Sequence, residues 1–589
     1  MIASFLYLSI LLCDVISETD AKKILFLMAQ SKSHMFPAIP VAEEMVKLNH
    51  TTTFVVAARM KEALASEGVK LSTSIISKSF DRYYYEDIIR VTLEKMAQGS
   101  KIESQVKWLQ GTNALCHEFM NDKKLIDELK DQKFDIAVID YAPVLCFTIM
   151  AYKLDLPFVS FGAFIDPTLN RVPLNPAFTP TFFSAFNDKM TFLERVWNTL
   201  RYIFLVARPA VPTLENLAVK YVPEKPAISN QEAKQKAMLY IHDSDILFEY
   251  PQPFPPNVIL CGGLAAHPSK KVSKKLDTFA SSNKGLVVVS FGSIFKTFPN
   301  NTFGKMIEAF KQISDLNFVI RQGDKEETTD NILRLPWIPQ NDLLGHPRTV
   351  LFITHCGRSG SMEAIYHGIP VITFPLSIDQ PYNAAVMEDK GYGIKMDLHD
   401  FSIEELIANI KQVAFTDKYK RNIKQASEIF HSRPQTPAER AAYYIDLVAR
   451  HGDKHFRHFG LDMPCYYHCQ EEVTAMAYCT KTWSKLKCGT DLCIRFARSR
   501  SQQHLNFIKC LHQFSLQSTR ARRKNKLTPK RIGLLTPQKY LPASIFTNDN
   551  NATRGPEEDN TSILNDLKTA IKNLEENNLA TDFLPFKPN

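Results

Sequence analysis

Two series of short apolar runs, each alternating with stretches of helical spacing, constrain this chain more than any other feature of its sequence. In the first series, residues 24–29, 53–57 and 136–139 are apolar runs of strand length, and residues 40–48 have helical spacing. The second begins near Gly285. Residues 286–290, 317–320, 350–354 and 370–374 read as strands there, and residues 303–314 and 361–367 as helices. Such alternation implies βαβ units and parallel sheets. Between the series lies Pro-Gln-Pro-Phe-Pro-Pro-Asn (residues 251–257), which can form neither helix nor central strand. The expected fold class is α/β. Two doubly wound domains, residues 18–250 and 285–436, face a cleft and are joined by a linker at 251–284. Ligands of such sheets bind beyond the carboxyl ends of strands, so the chemistry is sought there.

Composition narrows the function classes. Hydrophobic residues make up 45% and charged residues 23% of the 589, the balance of a chain that buries a real core. The formal charge of +9 invites a nucleic-acid reading. Residues 451–589, however, carry 21 basic against 13 acidic side chains, so the first 450 residues are nearly neutral. A folded nucleic-acid binder needs a basic face, and no nucleic-acid partner is expected.

The first residues, MIASFLYLSILLCDVISETD, have an apolar run at 2–12 too short to span a bilayer and a Val15-Ile16-Ser17 cleavage pattern. Residues 1–17 therefore read as a secretory signal peptide, and the alternative is a buried first strand. Secretion gives meaning to the sequons at Asn49, Asn300, Asn551 and Asn560. Of eleven Cys, six lie between Cys465 and Cys510. Cys116, Cys146, Cys261 and Cys356 are scattered and read as small buried apolar residues. No segment after the signal reaches the roughly 18 uninterrupted apolar residues of a spanning helix.

The densest pattern runs from Trp337 to Ala384: WIPQNDLLGHPRTVLFITHCGRSGSMEAIYHGIPVITFPLSIDQPYNA. Here the run at 350–354 ends in His355-Cys356-Gly357, and a helix is expected to open at about Ser359 to Ser361, capped by one of those hydroxyls. A strand running into a helix N-terminus presents free N–H groups and a positive dipole end, which suits a diphosphate. Gly357 and Gly360 allow close backbone approach to an anion. Ser290-Phe291-Gly292-Ser293 ends a neighbouring strand and can add donors, among them Ser293. No Walker A spacing, HExxH or complete nucleophile elbow competes with this pattern.

Over nearly fifty residues this segment resembles the UDP-glycosyltransferase signature of animal UDP-glucuronosyl- and UDP-glucosyltransferases. The resemblance extends over about residues 20–472. It implies a GT-B fold of two Rossmann-like domains, with UDP-sugar held by the second. Trp337 takes the position that stacks on uracil, Gln340 lies near the uridine, and Glu363 accepts from the ribose hydroxyls. His355, Gly357, Ser359 and Gly360 form the diphosphate turn. Asp379 and Gln380 take the pair that holds the transferred sugar. Two departures are noted: Cys356 stands where many members have Gly, and Ser359 where Asn is frequent.

Transfer to a hydroxyl needs a base, and a His oriented by a carboxylate supplies one. His34 follows the first strand, in a loop before a helix expected from about Pro37, and Asp140 ends the run at 136–139. Both match the family's catalytic pair. The implied reaction is inverting, from a UDP-sugar donor to a hydroxyl of a small lipophilic acceptor. The donor sugar, glucuronosyl or glucosyl, stays open. No cofactor is expected, since UDP-sugar is a co-substrate, and no metal, since helix N–H groups can neutralise the diphosphate and no Asp-x-Asp motif is placed to do it. Aromatic and aliphatic residues within 80–200 fit either an acceptor pocket or a core. A non-catalytic binding protein of the same fold is the alternative.

Residues 437–472 match the family's returning helix and pre-anchor segment. The apolar anchor expected next is missing, so membrane association has no C-terminal transmembrane span behind it. Residues 473–589 form a divergent tail, Cys-rich and then basic with a disordered composition. The compartment expected is the secretory pathway, in the endoplasmic reticulum lumen or secreted.

Overall fold

The computed structural model describes residues 21–97, 101–140, 144–162, 174–182, 184–207, 215–292, 302–323 and 326–457. The chain divides into two compact units, 1–468 and 469–589, and every described residue lies in the first. The signal segment, the tail, Ser293 and the sequons at Asn300, Asn551 and Asn560 fall outside the described residues.

Strands β1 (Lys23–Leu27), β2 (Thr51–Val56), β3 (Thr73–Ile76), β4 (Ile136–Asp140), β5 (Phe158–Gly162), β6 (Tyr240–His242) and β7 (Val258–Leu260) form a parallel sheet in the order β3-β2-β1-β4-β5-β6-β7. A second sheet holds β8 (Gly285–Ser290), β9 (Leu316–Arg321), β10 (Glu327–Thr328), β11 (Ile332–Leu335), β12 (Thr349–Thr354), β13 (Val371–Thr373) and β14 (Gly393–Lys395). Its order is β10-β11-β9-β8-β12-β13-β14, and β10 with β11 is its antiparallel pair. Along β8, Leu286 and Val288 face one apolar cluster while Val287 and Val289 face another. Period-two alternation with both faces covered explains the continuous apolar strands.

In each sheet the strand order reverses next to the first strand, between β1 and β4 and between β8 and β12. A crevice opens at such a switch point beyond the carboxyl ends. At the first lie the residues after β1 and Asp140. At the second lie Phe291-Gly292 and His355-Cys356-Gly357. Site positions thus follow from topology.

Helices α1 (Lys32–Lys47), α2 (Tyr85–Ala97), α3 (Lys101–Asn121), α4 (Cys146–Lys153), α5 (Gln340–Leu344), α6 (Arg358–His367), α7 (Gln380–Asp389), α8 (Asp417–His431) and α9 (Pro437–His451) carry the remaining contacts that matter here. Helix α1 starts five residues before the expected Pro37 and continues through Pro37 and Pro40. Each proline removes a backbone donor. Burial of Met35, Ala38, Ile39, Val41, Ala42 and Met45 offsets that loss and sets the helix against the sheet. Helix α9 opens with a capping box between Thr436 and Glu439. It then packs Ala441, Ala442, Ile445 and Val448 into the first sheet's core beside α1. His50 Nε2 and Asp446 Oδ1, 2.8 Å apart, pin it there.

Two expectations need correction. The stretch 251–284 is more than a linker, because β7 within it pairs with β6, and the helix Lys274–Ser281 packs on β8. The prolines at 251–256 only delay a strand that has a sheet edge to join. Cys116 and Cys146 are not isolated apolar residues: they form a disulfide between α3 and α4. Thirty residues of sequence separate them, and packing of the two helices brings their Cα atoms to 5.1 Å. Cys261 and Cys356 are free and buried. Closing a loop of that length is worth about 3–4 kcal/mol of unfolded-state entropy. Cys146→Ser is therefore expected to lower unfolding free energy by about that amount in denaturant titrations. Non-reducing peptide mapping should recover a Cys116–Cys146 cross-link, and two free thiols there would contradict the pairing.

Candidate active site

His34 lies in the first turn of α1, not in a loop before it, because the chain turns into helix as soon as β1 and the four residues after it end. Its Nδ1 is 2.8 Å from Asp140 Oδ2, the carboxylate at the end of β4. The same oxygen accepts the Ala29 N–H at 2.9 Å. The Asp140 side chain is 1% exposed and the His34 side chain 31%. A carboxylate held at Nδ1 places the proton there and leaves Nε2 with a free lone pair. Burial pulls the His34 pKa down. The Asp140 charge and hydrogen bond, joined by the Asp379 charge, outweigh it and raise the pKa above 6.5. Tyr85 at the start of α2 meets the ring edge-on, with centroids 5.8 Å apart.

The turn after β12 departs from the expected capping. Helix α6 opens at Arg358, and Gly357 is its N-cap, with no side-chain acceptor on the first-turn N–H groups. Ser361 is unavailable as a cap because its hydroxyl donates back to Gly357 O at 3.0 Å. An uncapped first turn is what an anion requires. Cys356 sits at φ 66°, the left-handed region where Gly is at ease. The His355 ring lies between Gly292 and Gly357, and a Cβ on either would come within 2.8 or 2.7 Å of Nε2. Both glycines therefore make room for the ring. Burial, aided by the Arg321 charge, pushes the His355 pKa down to about 4, so the ring is neutral. A neutral imidazole donates one N–H and adds no cation.

Glu363 on α6 accepts a hydrogen bond from Gln340 Nε2 at 2.6 Å. Burial raises its pKa to about 7, against the Gln340 hydrogen bond and with help from Asp243 and Asp342. Gly360 lies beneath the same amide, where a Cβ would come 3.2 Å from Gln340 Nε2. Asp379 is the N-cap of α7 and accepts from Asn383 Nδ2 at 2.6 Å. Gln380 turns its amide oxygen to the N–H groups of Leu376 and Ser377, at 2.8 and 3.0 Å. Its NH₂ end is the part left for a ligand. Ser359 is half-buried in the first turn of α6.

Trp337 is 38% exposed and precedes α5. Its indole N–H donates to Glu67 Oε2 at 2.8 Å, and Lys32 Nζ stands 3.7 Å from the ring centroid. Lys32 also donates to Glu67 Oε1 at 2.6 Å. Two residues beside the first sheet thus grip the indole of the second, and a cation occupies a face suited to a base. The sequence pattern did not single out this clasp. It also missed Arg321, the last residue of β9, whose Nη1 donates to Gly292 O and whose guanidinium is 5.4 Å from the Trp337 ring. Arg321 ends a strand of the second sheet, and the carboxyl-end rule was the signal that would have found it. Among the described residues no cluster of three or more His, Cys, Asp or Glu is placed to hold a metal ion.

Among solved structures, the spinosyn forosaminyltransferase SpnP is 14% identical with a TM-score of 0.52, covering 73% of this chain and 99% of its own. The glycotransferase of kitacinnamycin is 16% identical with a TM-score of 0.50 and the same coverage. At these identities the likeness shows the fold, which is GT-B. The family model described as UDP-glucoronosyl and UDP-glucosyl transferase matches residues 22–498. UDP-glucuronosyltransferase 2B15 of Homo sapiens is 30% identical over 473 residues, 76% of this chain and 89% of the relative. UDP-glucuronosyltransferase 2A3 of Pongo abelii is 32% identical over 409 residues, 67% of this chain and 77% of the relative. The chain belongs to the UDP-glucuronosyl and UDP-glucosyl transferase family.

A ribose diol donating to Glu363 would favour the ionised carboxylate, and binding would then release the proton that burial retains. UDP affinity, measured by isothermal titration, is expected to weaken by up to about tenfold per pH unit below a carboxyl pKa of about 7. Glu363→Gln should bind more weakly and lose that pH dependence. An unchanged slope in the variant would remove Glu363 from the nucleotide site.

Proposed function

We propose that the chain is an inverting glycosyltransferase that moves a glucuronosyl or glucosyl group from a UDP-sugar to a hydroxyl of a small lipophilic acceptor. The observation that carries this is the His34 Nδ1 to Asp140 Oδ2 bond of 2.8 Å, beside a site whose second sheet supplies Asp379. In this scheme Nε2 of His34 accepts the acceptor's hydroxyl proton. The oxygen forms its bond to the anomeric carbon, and the bond from that carbon to the UDP oxygen breaks with its electron pair leaving on UDP. Asp140 orients the ring and stabilises imidazolium. Attack opposite the leaving group inverts the centre, so an α-linked donor gives a β-glycoside.

The donor roles proposed are those the resemblance implies, and the geometry supports them. The uncapped start of α6, with Gly357, Ser359, Gly360 and neutral His355, takes the diphosphate and its departing charge. Glu363, held by Gln340, takes the ribose. Trp337 takes uracil, which displaces or shares the Lys32 position. Asp379 and the Gln380 amide take the sugar hydroxyls. Ser293 is assigned to the same turn from its place after Gly292. Tyr85 forms part of the acceptor wall next to His34. By contrast Phe80 stacks on Phe119 in the core, Phe147 meets both rings edge-on, and the three serve packing.

An oxidising compartment fits the Cys116–Cys146 disulfide. The exposed Asn49 at the turn before β2 fits a glycosylated sequon. Both support the secretory pathway, with the endoplasmic reticulum lumen as the proposed site. Among the described residues no helix is long and apolar enough to cross a membrane.

His34→Ala is expected to lower transfer by about 10²–10⁴-fold while UDP affinity stays within about twofold. The assay is UDP release with UDP-glucuronic acid or UDP-glucose and a panel of phenolic acceptors. Wild-type transfer by the variant would reject the base assignment. UDP binding by the wild type without turnover of either donor would favour the binding-protein alternative.

A further inference from the structure

The connection between β6 and β7 leaves the first sheet and enters the core under the second. Leu247 and Phe248 are buried in the cluster that holds Leu286, Val288 and Met362. The next residue, Glu249, is buried as well, and both of its carboxylate oxygens are used. Oε1 accepts from Arg358 Nη1 at 2.8 Å and from the Ser244 hydroxyl. Oε2 accepts from the Tyr382 hydroxyl at 2.7 Å. Arg358 is the first residue of α6, directly after the Gly357 turn, and its guanidinium lies 4.4 Å from the Phe248 ring. Tyr382 is the third residue of α7, after Gln380 at its start, and its ring meets Tyr250 edge-on at 5.8 Å.

Neither α6 nor α7 has a side-chain cap. The start of α7 is held in part by Asn383, whose Nδ2 donates to Asp379 Oδ2 at 2.6 Å and to Cys356 O in the turn before α6 at 2.9 Å. Glu249 adds a buried bond to each of the two helices from the connection between β6 and β7. A buried ion pair of this kind gives little stability over a well-packed apolar trio. What it does supply is a set distance between two helix starts, and a carboxylate with both oxygens engaged is rigid.

We propose that Glu249 is a positioning residue for the donor. Through Arg358 it holds the diphosphate turn, and through Tyr382 it holds the Asp379–Gln380 start of α7. This rests on the donor site of the proposed function, whose phosphate and sugar ends it joins. Loss of the Tyr382 arm alone loosens the sugar end and leaves the phosphate end in place.

The test uses the full-length chain with Tyr382→Phe, Glu249→Gln and the double variant, titrated with UDP and assayed with UDP-glucuronic acid and UDP-glucose. Tyr382→Phe should bind UDP within about twofold of wild type yet lose on the order of tenfold in kcat/KM for the sugar donor. Glu249→Gln should weaken both, and more for the sugar donor than for UDP. The double variant should be no worse than Glu249→Gln, because one carboxylate serves both arms. Wild-type donor kinetics in Tyr382→Phe, whatever its melting temperature, would overturn the proposal, as would losses that multiply in the double variant. If Tyr382→Phe does not fold, the isosteric Glu249→Gln reads the same split between UDP and UDP-sugar. A wild type that binds no UDP rejects the donor site itself. A wild type that binds and transfers alongside unaffected variants rejects only the positioning.

Discussion

The hydrogen bond between His34 and Asp140 is the interaction on which the proposed chemistry depends. Burial alone would push the imidazole toward a weakly basic, neutral state. The nearly unexposed carboxylate reverses that tendency and fixes which nitrogen stays free. The bond exists because β1 and β4 are neighbours at the switch point of the first sheet, which brings residues more than a hundred positions apart to one edge. The Ala29 N–H holds the same oxygen, so backbone as well as side chain sets its position.

The second sheet repeats the topology and inverts the electrostatics. At its switch point the residues offer N–H groups and a neutral ring to an anion. Its carboxylates, Glu363 and Asp379, are held partly toward the protonated form by burial. Hydroxyl-rich ligands reward such groups, since each donated hydrogen bond stabilises the charge that burial disfavours. Arg321 brings a cation to this turn, and burial, aided by that charge, keeps His355 neutral. In the proposed reaction the first sheet supplies a base and the second an anion cradle, and the Asp379 charge is felt at His34.

The sheets and the crevice were legible because β-strands buried on both faces are written as continuous apolar runs, and the strand at 349–354 runs straight into a glycine turn. Helix starts were less legible. The first helix was expected from about Pro37 and the serines after Gly357 as caps, but α1 opens at Lys32 and α6 takes Gly357 as its N-cap. The Cys116–Cys146 bond and the strand within 251–284 depend on which elements become neighbours, which spacing does not encode. The same holds for Lys32 and Glu67 on Trp337, and for Glu249 between Arg358 and Tyr382. Each is an ordinary surface-type residue in sequence, and its place comes only from the meeting of distant segments.

The central claim is that Asp140 holds His34 as a strengthened base. The direct measurement is the pH dependence of His34 modification by diethyl pyrocarbonate, read by peptide mass spectrometry in the wild type and in Asp140→Asn. The account predicts a wild-type midpoint above 6.5 that falls in the variant, where burial acts with far less opposition. A wild-type midpoint at or below 6.5, or one that Asp140→Asn leaves unmoved, would contradict it.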